Sequence, residues 1–221
     1  MQTSLNKIFY RCFCKLEPPG VPRIEGYKTG DVISVGDTLT LACMSRGGNP
    51  SARLIWYKDN ITVDTSYSST DGREVTNTYS FLVKPEHNNA YLVCEASNQV
   101  SNYPLTSHIQ LSVFYPPNSI KIIGPDKGKV GETLTFECIV GPSNPAAEVT
   151  WVIDGRPMLP IASWTKSVKE GWITTTNVSV TLNSLDPDTK SISCYAASET
   201  LRDTILQTVN LQILCEYTSR V

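Results

Sequence analysis

Charge, histidine and long apolar runs are all scarce in this 221-residue chain. Charged residues make up 18% and the net charge is −2, with neither a basic nor an acidic block. A nucleic-acid binder or a polybasic membrane-surface protein needs a concentrated positive footprint, so both classes are excluded. No eighteen consecutive apolar residues occur, so the sequence holds no candidate helical membrane span. Of the two histidines, His87 falls in a turn and His108 at an outward strand position. No Gly-x-Ser-x-Gly context supplies a nucleophile, and Gly47-Gly48 lies between strands, where it serves a turn rather than a phosphate. Glu86, Asp186 and Asp188 are loop carboxylates without a paired partner in sequence. No catalytic residue, metal site or cofactor is therefore assigned, and an enzyme is not expected. No stretch sustains a 3.6-residue period, so helix should be scarce.

What the chain does have is cysteine in a repeating frame. Cys43 precedes Trp56 by thirteen residues and Cys94 follows; Cys138 precedes Trp151 by thirteen and Cys194 follows. The chain is long enough for two domains of about 100 residues, and the repeat decides for two. Metal ligands usually come in close pairs, whereas these cysteines stand 51 and 56 residues apart within each copy. Two long-range disulfides, Cys43 to Cys94 and Cys138 to Cys194, are the better reading. Such bridges persist in an oxidising compartment, and closing a loop of this size restricts the unfolded chain by about 4 kcal/mol. Cys12, Cys14 and Cys215 are left over. Cys12 and Cys14 read as part of an extraneous tail, and Cys215 as a small hydrophobe at the end of the last strand. Residues 1–17 do not match a signal peptide, because Lys7, Tyr10 and Arg11 interrupt their apolar stretches. They read as the end of a fragment of a longer protein, or as a start at an internal Met, outside the fold.

Period-two alternation marks the strands. In the first copy Leu39, Leu41 and Cys43 share one face, Leu54 and Trp56 the next, then Tyr79, Phe81 and Val83, then Leu92, Cys94 and Ala96, and finally Ile109, Leu111 and Val113. The second copy repeats the order with Leu134, Phe136 and Cys138; Val149 and Trp151; Val178, Val180 and Leu182; Ile192, Cys194 and Ala196; and Val209, Leu211 and Ile213. Breaker clusters at residues 46–51 (Arg-Gly-Gly-Asn-Pro-Ser) and 141–145 (Gly-Pro-Ser-Asn-Pro) read as loops. Prolines make residues 18–22 a stiff lead-in and residues 115–118 a short Pro-rich linker.

Short strands at turn-punctuated intervals, with a core tryptophan beside an inter-sheet disulfide, specify an all-β chain of two tandem immunoglobulin-like β-sandwiches. Their expected extents are residues 18–114 and 116–214, with a tail at 215–221. Sheets about 10 Å apart are bridged only by inward cysteines on opposite strands, and the indole fills the space beside the bridge. Both copies lack the tyrosine two residues before the second cysteine; Leu92 and Ile192 stand there. One turn-stabilising hydroxyl bond should be missing from each.

The segment Arg46-Gly-Gly-Asn-Pro-Ser-Ala-Arg-Leu-Ile-Trp-Tyr-Lys-Asp, the Leu-x-Cys-Glu-Ala-x-Asn around Cys94 and the Phe-Tyr-Pro-Pro junction resemble internal immunoglobulin domains of nephrin-type adhesion receptors. The resemblance covers about residues 18–214. It implies an extracellular, disulfide-bonded, glycosylated part of a single-pass type I plasma-membrane protein that acts in cell–cell recognition. The implied partner is a cell-surface immunoglobulin-superfamily protein, a Kirre-like receptor or a second copy. Whether this pair makes contacts or spaces the molecule stays open. The rival reading is the ectodomain of an immunoglobulin-bearing kinase or phosphatase receptor.

Two sequons without a blocking proline, at Asn60 and Asn177, are candidate N-glycosylation sites. Asn60 sits at a strand end and Asn177 alternates outward. Tyr57, Trp164 and Trp172, near turns or at outward positions, are candidate contact residues, because Tyr and Trp are over-represented in interfaces.

Overall fold

The computed structural model of the chain describes residues 15–69, 74–198 and 200–214. Cys12, Cys14 and Cys215 lie outside these residues, as do residues 1–14 of the first predicted tail and the whole of the second. The first ten strands are β1 (Glu17–Pro19), β2 (Arg23–Glu25), β3 (Ile33–Ser34), β4 (Thr38–Asn49), β5 (Arg53–Lys58), β6 (Ile61–Asp64), β7 (Ser68–Ser69), β8 (Glu74–Leu82), β9 (Tyr91–Ser97) and β10 (Leu105–Gln110). Ten more follow: β11 (Val113–Phe114), β12 (Ile120–Ile123), β13 (Lys127–Lys129), β14 (Thr133–Ser143), β15 (Glu148–Ile153), β16 (Arg156–Met158), β17 (Ala162–Ser167), β18 (Trp172–Thr181), β19 (Thr189–Ser198) and β20 (Asp203–Leu214). One turn of 3-10 helix, Pro85–His87, is the sole helical segment among the described residues.

The chain divides into two compact units. The first comprises the described parts of Met1–Thr29, with Leu39–Phe81 and Tyr91–Gln110. In it β4 pairs with β1, β2 and β8, with β7 on the far side of β8; the facing sheet runs β10-β9-β5-β6. Cys43 and Cys94 join the sheets at a Cα separation of 6.3 Å. Leu41, Leu54, Trp56, Leu92 and Ala96 are fully buried around the bridge, as period-two alternation with one apolar face requires.

The second unit comprises Gly30–Thr38, Leu82–Ala90 and the described part of Leu111–Val221. Its sheets run β12-β14-β18-β17 and β13-β20-β19-β15-β16, with β3 and β11 forming a small parallel pair. Cys138 and Cys194 bridge the two large sheets at 6.5 Å, packed with Phe136, Val140, Trp151, Val178, Leu182, Ile192 and Leu211. Tyr115, assigned to the linker by sequence, is buried and exchanges backbone hydrogen bonds with Asn144. Its hydroxyl donates to the carbonyl of Glu170, and burial, reinforced by the Glu170 carboxylate, pushes its pKa up to about 12.

Three sequence expectations are corrected. Residues 46–51 are largely strand: β4 runs through Gly47 and Gly48 to Asn49 because β1 pairs with it, Glu17 opposite Asn49 and Pro19 opposite Gly47. Gly48 permits this, since a Cβ there would stand 3.2 Å from the Pro19 backbone and its φ is +84°. Glu17 is thus part of the fold. Residues 141–145 likewise continue β14 to Ser143, across a register irregularity between Val140 and Ser143. Asn77, a polar residue on the inward face of β8, is fully buried beside Trp56.

The two copies match in hydrogen bonds that their sequences do not reveal. Asp37 and Glu132 each accept a bond from the backbone three residues earlier, and the amides of Gly36 and Gly131 bond the carbonyls of Val83 and Leu182. Asp59 and Asp154, at φ 48° and 47°, accept bonds from Tyr91 and Ser191. The corner that lacks its tyrosine is closed another way. Lys84 N–H donates to His87 Nδ1 at 3.1 Å, and Asn183 N–H donates to Asp186 Oδ2 at 2.8 Å. Each corner thus has a side-chain acceptor three residues on, which satisfies an otherwise unpaired turn amide.

Candidate recognition surface

The outward face of the β10-β9-β5-β6 sheet is aromatic and lightly charged. On β5, Tyr57 stands opposite Val93, and Ile55 opposite Glu95. On β9 and β10, Tyr91 and His108 bring their rings to 6.4 Å, tilted by 46°. Tyr57, expected to be exposed, is half-buried because its neighbours Val93, Glu95 and Thr62 surround the ring. Burial, with the Glu95 carboxylate adding to it, holds its hydroxyl above the usual pKa of 10.0. Tyr57 and Asn60 line one shallow depression of about 300 Å³ with Val93 and Glu95. A candidate contact residue and a candidate glycan attachment point are therefore neighbours. Asn60 is exposed in the β5–β6 turn, where its φ of 67° suits an asparagine. The Tyr91–His108 pair went unrecognised in the sequence, because cross-strand register alone brings it together.

In the second unit the structure does not unite Trp164 and Trp172. Trp164 lies opposite Thr175 and Trp172 opposite Ser167, so alternation places them on opposite faces of their sheet, 46% and 39% exposed. Asn177 shares the face of Thr175 and Trp164 but is half-buried, and its side-chain Oδ1 is covered without a hydrogen-bond partner. Its flanking strands on both sides, at Glu137 and Ala162, account for this depth.

A cleft of about 640 Å³ opens between Met158, Arg156, Val180 and the ion cluster of Lys190 with Asp154 and Asp186. Lys190 Nζ lies 2.9 Å from Asp154 and 2.8 Å from Asp186. Burial alone would lower the Lys190 pKa; its bonds to the two carboxylates outweigh this and leave it above 10.5. The charges are mutually satisfied, so the cluster pins the end of β15 to the turn before β19. Among the described residues, no group of three or more His, Cys, Asp or Glu side chains is placed to hold a metal ion.

The CD80-like C2-set immunoglobulin domain matches this sequence twice, at residues 22–103 and 119–205. The chain belongs to the C2-set immunoglobulin family. Both C2-set domains carry the disulfide and tryptophan described above. Among curated proteins, the chain is 36% identical over 149 residues to nephrin of Homo sapiens, covering 66% of this chain and 12% of nephrin. It is 29% identical over 203 residues to nephrin of Mus musculus, covering 90% and 16%. Kin of IRRE-like protein 2 of Mus musculus is 30% identical over 149 residues, covering 64% and 21%. This C2-set pair therefore spans about an eighth to a fifth of the length of these relatives. Solved structures that share the fold include Rst D1-D2, with a TM-score of 0.57, 19% identity and coverage of 88% of this chain and 100% of that one, and the mouse nectin-like molecule 4 ectodomain, with 0.60, 22%, 93% and 67%.

Proposed function

We propose that this C2-set pair is an extracellular segment of a cell–cell adhesion and recognition receptor of the nephrin type. Its domains are residues 18–114, joined at their start by Glu17 of β1, and 116–214, with the remaining tails outside them. The observation that supports the reading most is the alignment with nephrin, which runs across 90% of the chain. The pair acts by presentation and contact rather than by catalysis. Its partner is an immunoglobulin-superfamily protein on a cell surface, a Kirre-like receptor or a second copy, and the intact protein is held at the plasma membrane with these domains outside. Asn60 carries an N-glycan at an exposed turn, and Asn177 is a second, more shielded attachment site. Tyr57, Trp164 and Trp172 are the first residues to test for contact, since buried aromatic anchors dominate interface energetics.

The test is surface binding of the secreted chain to immobilised Kin of IRRE-like protein 2 ectodomain and to itself. Saturable binding that Tyr57→Ala, Trp164→Ala or Trp172→Ala weakens assigns a contact role. Absence of binding, when a longer ectodomain of the same receptor does bind, assigns the pair to spacing.

A further inference from the structure

The free edge of β17 points to a second copy of this chain. Val168 and Gly171 exchange both backbone hydrogen bonds across the turn that joins β17 to β18, which fixes the phase of the ladder. Counting back along the register, Lys166 and Trp164 occupy the hydrogen-bonded pairs with Ile173 and Thr175, and at the start of the strand Ile161 N–H reaches the Asn177 carbonyl beside Ala162. The N–H and C=O groups of Ser163, Thr165 and Ser167 consequently face away from β18. Strand β17 ends its sheet and all six of its residues are exposed. Sheet edges are ordinarily guarded by proline, a charged side chain such as lysine, a bulge or extreme shortness, and the one charge on β17, Lys166, is matched by Trp164 in the pairing below. The companion edge β16 has three residues and Pro157, whereas β17 has no proline and keeps one register against β18 from Ala162 to Ser167, its one irregularity falling before the strand, where Ile161 N–H reaches the Asn177 carbonyl.

We propose that β17 pairs antiparallel with β17 of a second copy about a two-fold axis through Thr165. That register is self-complementary. Thr165 faces Thr165, and Ser163 faces Ser167 of the second copy and vice versa, so all three outward-pointing residues form hydrogen-bonded pairs and six bonds close. The intervening non-hydrogen-bonded pairs set Trp164 opposite Lys166 of the second copy, twice, at the closer of the two antiparallel spacings. Each ammonium then lies against an indole, a cation–π contact. Centring the axis on Ser163 or Ser167 loses these pairs, and a parallel arrangement cannot form by a two-fold at all. The reciprocity of Trp164 and Lys166 is what selects a second copy over an unrelated strand. This pairing deepens the second-copy alternative proposed above and uses its Trp164, whereas binding to Kin of IRRE-like protein 2 can persist when the pairing fails.

Sedimentation of the full secreted chain tests the pairing, after glycosidase treatment so that no sugar stands on the Asn177 face. A reversible dimer is expected as concentration rises towards roughly millimolar. Thr165→Pro removes an N–H that β18 does not use, so folding should persist while dimerisation weakens at least about 100-fold. Lys166→Glu should weaken it about tenfold through loss of both cation–π pairs. Thr165→Cys, with Cys12, Cys14 and Cys215 replaced by Ser, should form an intermolecular disulfide, because facing Cα atoms lie about 5.5 Å apart. A chain that stays monomeric throughout, or a dimer that Lys166→Glu leaves unchanged and Thr165→Cys does not cross-link, overturns the proposal whatever Thr165→Pro does to folding.

Discussion

Replacing Thr176 by valine should selectively destabilise the second sandwich. Trp151 donates its indole N–H to Thr176 Oγ1 at 3.0 Å, and both residues are buried. Valine keeps the branched shape but offers no acceptor, which strands a buried donor. Leaving such a group unpaired costs about 1–3 kcal/mol, partly offset by the greater hydrophobicity of the new methyl. A net loss of about 1–2 kcal/mol lowers the melting temperature of a 100-residue domain by roughly 5–15 °C. The first sandwich supplies the internal control, since Trp56 donates instead to the backbone carbonyl of Asn77 at 3.3 Å and has no tie to Thr176. Differential scanning calorimetry should therefore show the second transition moving and the first staying in place. The decisive measurement is a double-mutant cycle with Trp151→Phe. Once the indole N–H is gone, Thr176→Val should cost little, giving a coupling of about 1 kcal/mol. Equal costs in the two backgrounds would refute the argument, because the effect would then be one of packing alone.

Acid should weaken the second sandwich through Asp186. The Asn183 backbone N–H, followed by Lys190, holds this carboxyl below its ordinary 3.8, so its contribution is complete above that value and is lost as pH falls through the lowered one. Asp186→Asn should lower the melting temperature at pH 7 and leave it nearly unchanged at about pH 2; the same deficit at both would contradict the assignment. Gly48→Ala should cost about 1–3 kcal/mol, from a left-handed backbone and the close approach of Pro19, and should expose the β1 segment to proteolysis. An unaltered denaturation midpoint would count against the strand pairing there. Glycosidase treatment of the secreted chain should increase its gel mobility, and Asn60→Gln should remove more of that shift than Asn177→Gln, given their different exposure. Lack of any shift would end the glycan assignment.

Alternation and the two cysteine–tryptophan–cysteine frames were enough for the sandwich, its duplication and the residues around each bridge. A side chain's face on a strand is a local property with a period of two, and an inward cysteine has one kind of partner within reach. Strand pairing is not local. Whether residues 46–49 form a loop or a strand depended on Glu17–Pro19 arriving beside them, about thirty residues away in sequence. Asn77 shares the parity of Tyr79, Phe81 and Val83, but that a polar residue is buried there is decided by Trp56 on the facing sheet, whose indole N–H donates to its carbonyl. The corner lacking its tyrosine was legible as an absence, but the acceptors at His87 and Asp186 emerged only from turn geometry. Strand β17, with Ala, Ser, Trp, Thr, Lys and Ser, carries no alternating apolar signal, because it covers no core. Its strand state comes from β18 alone, and the same position at the end of the sheet leaves its outer hydrogen-bonding groups unpaired. The sequence therefore determined which faces are buried and which cysteines meet. Only the tertiary structure decided which backbone edges and aromatic rings are available to a partner, because that depends on what distant segments cover.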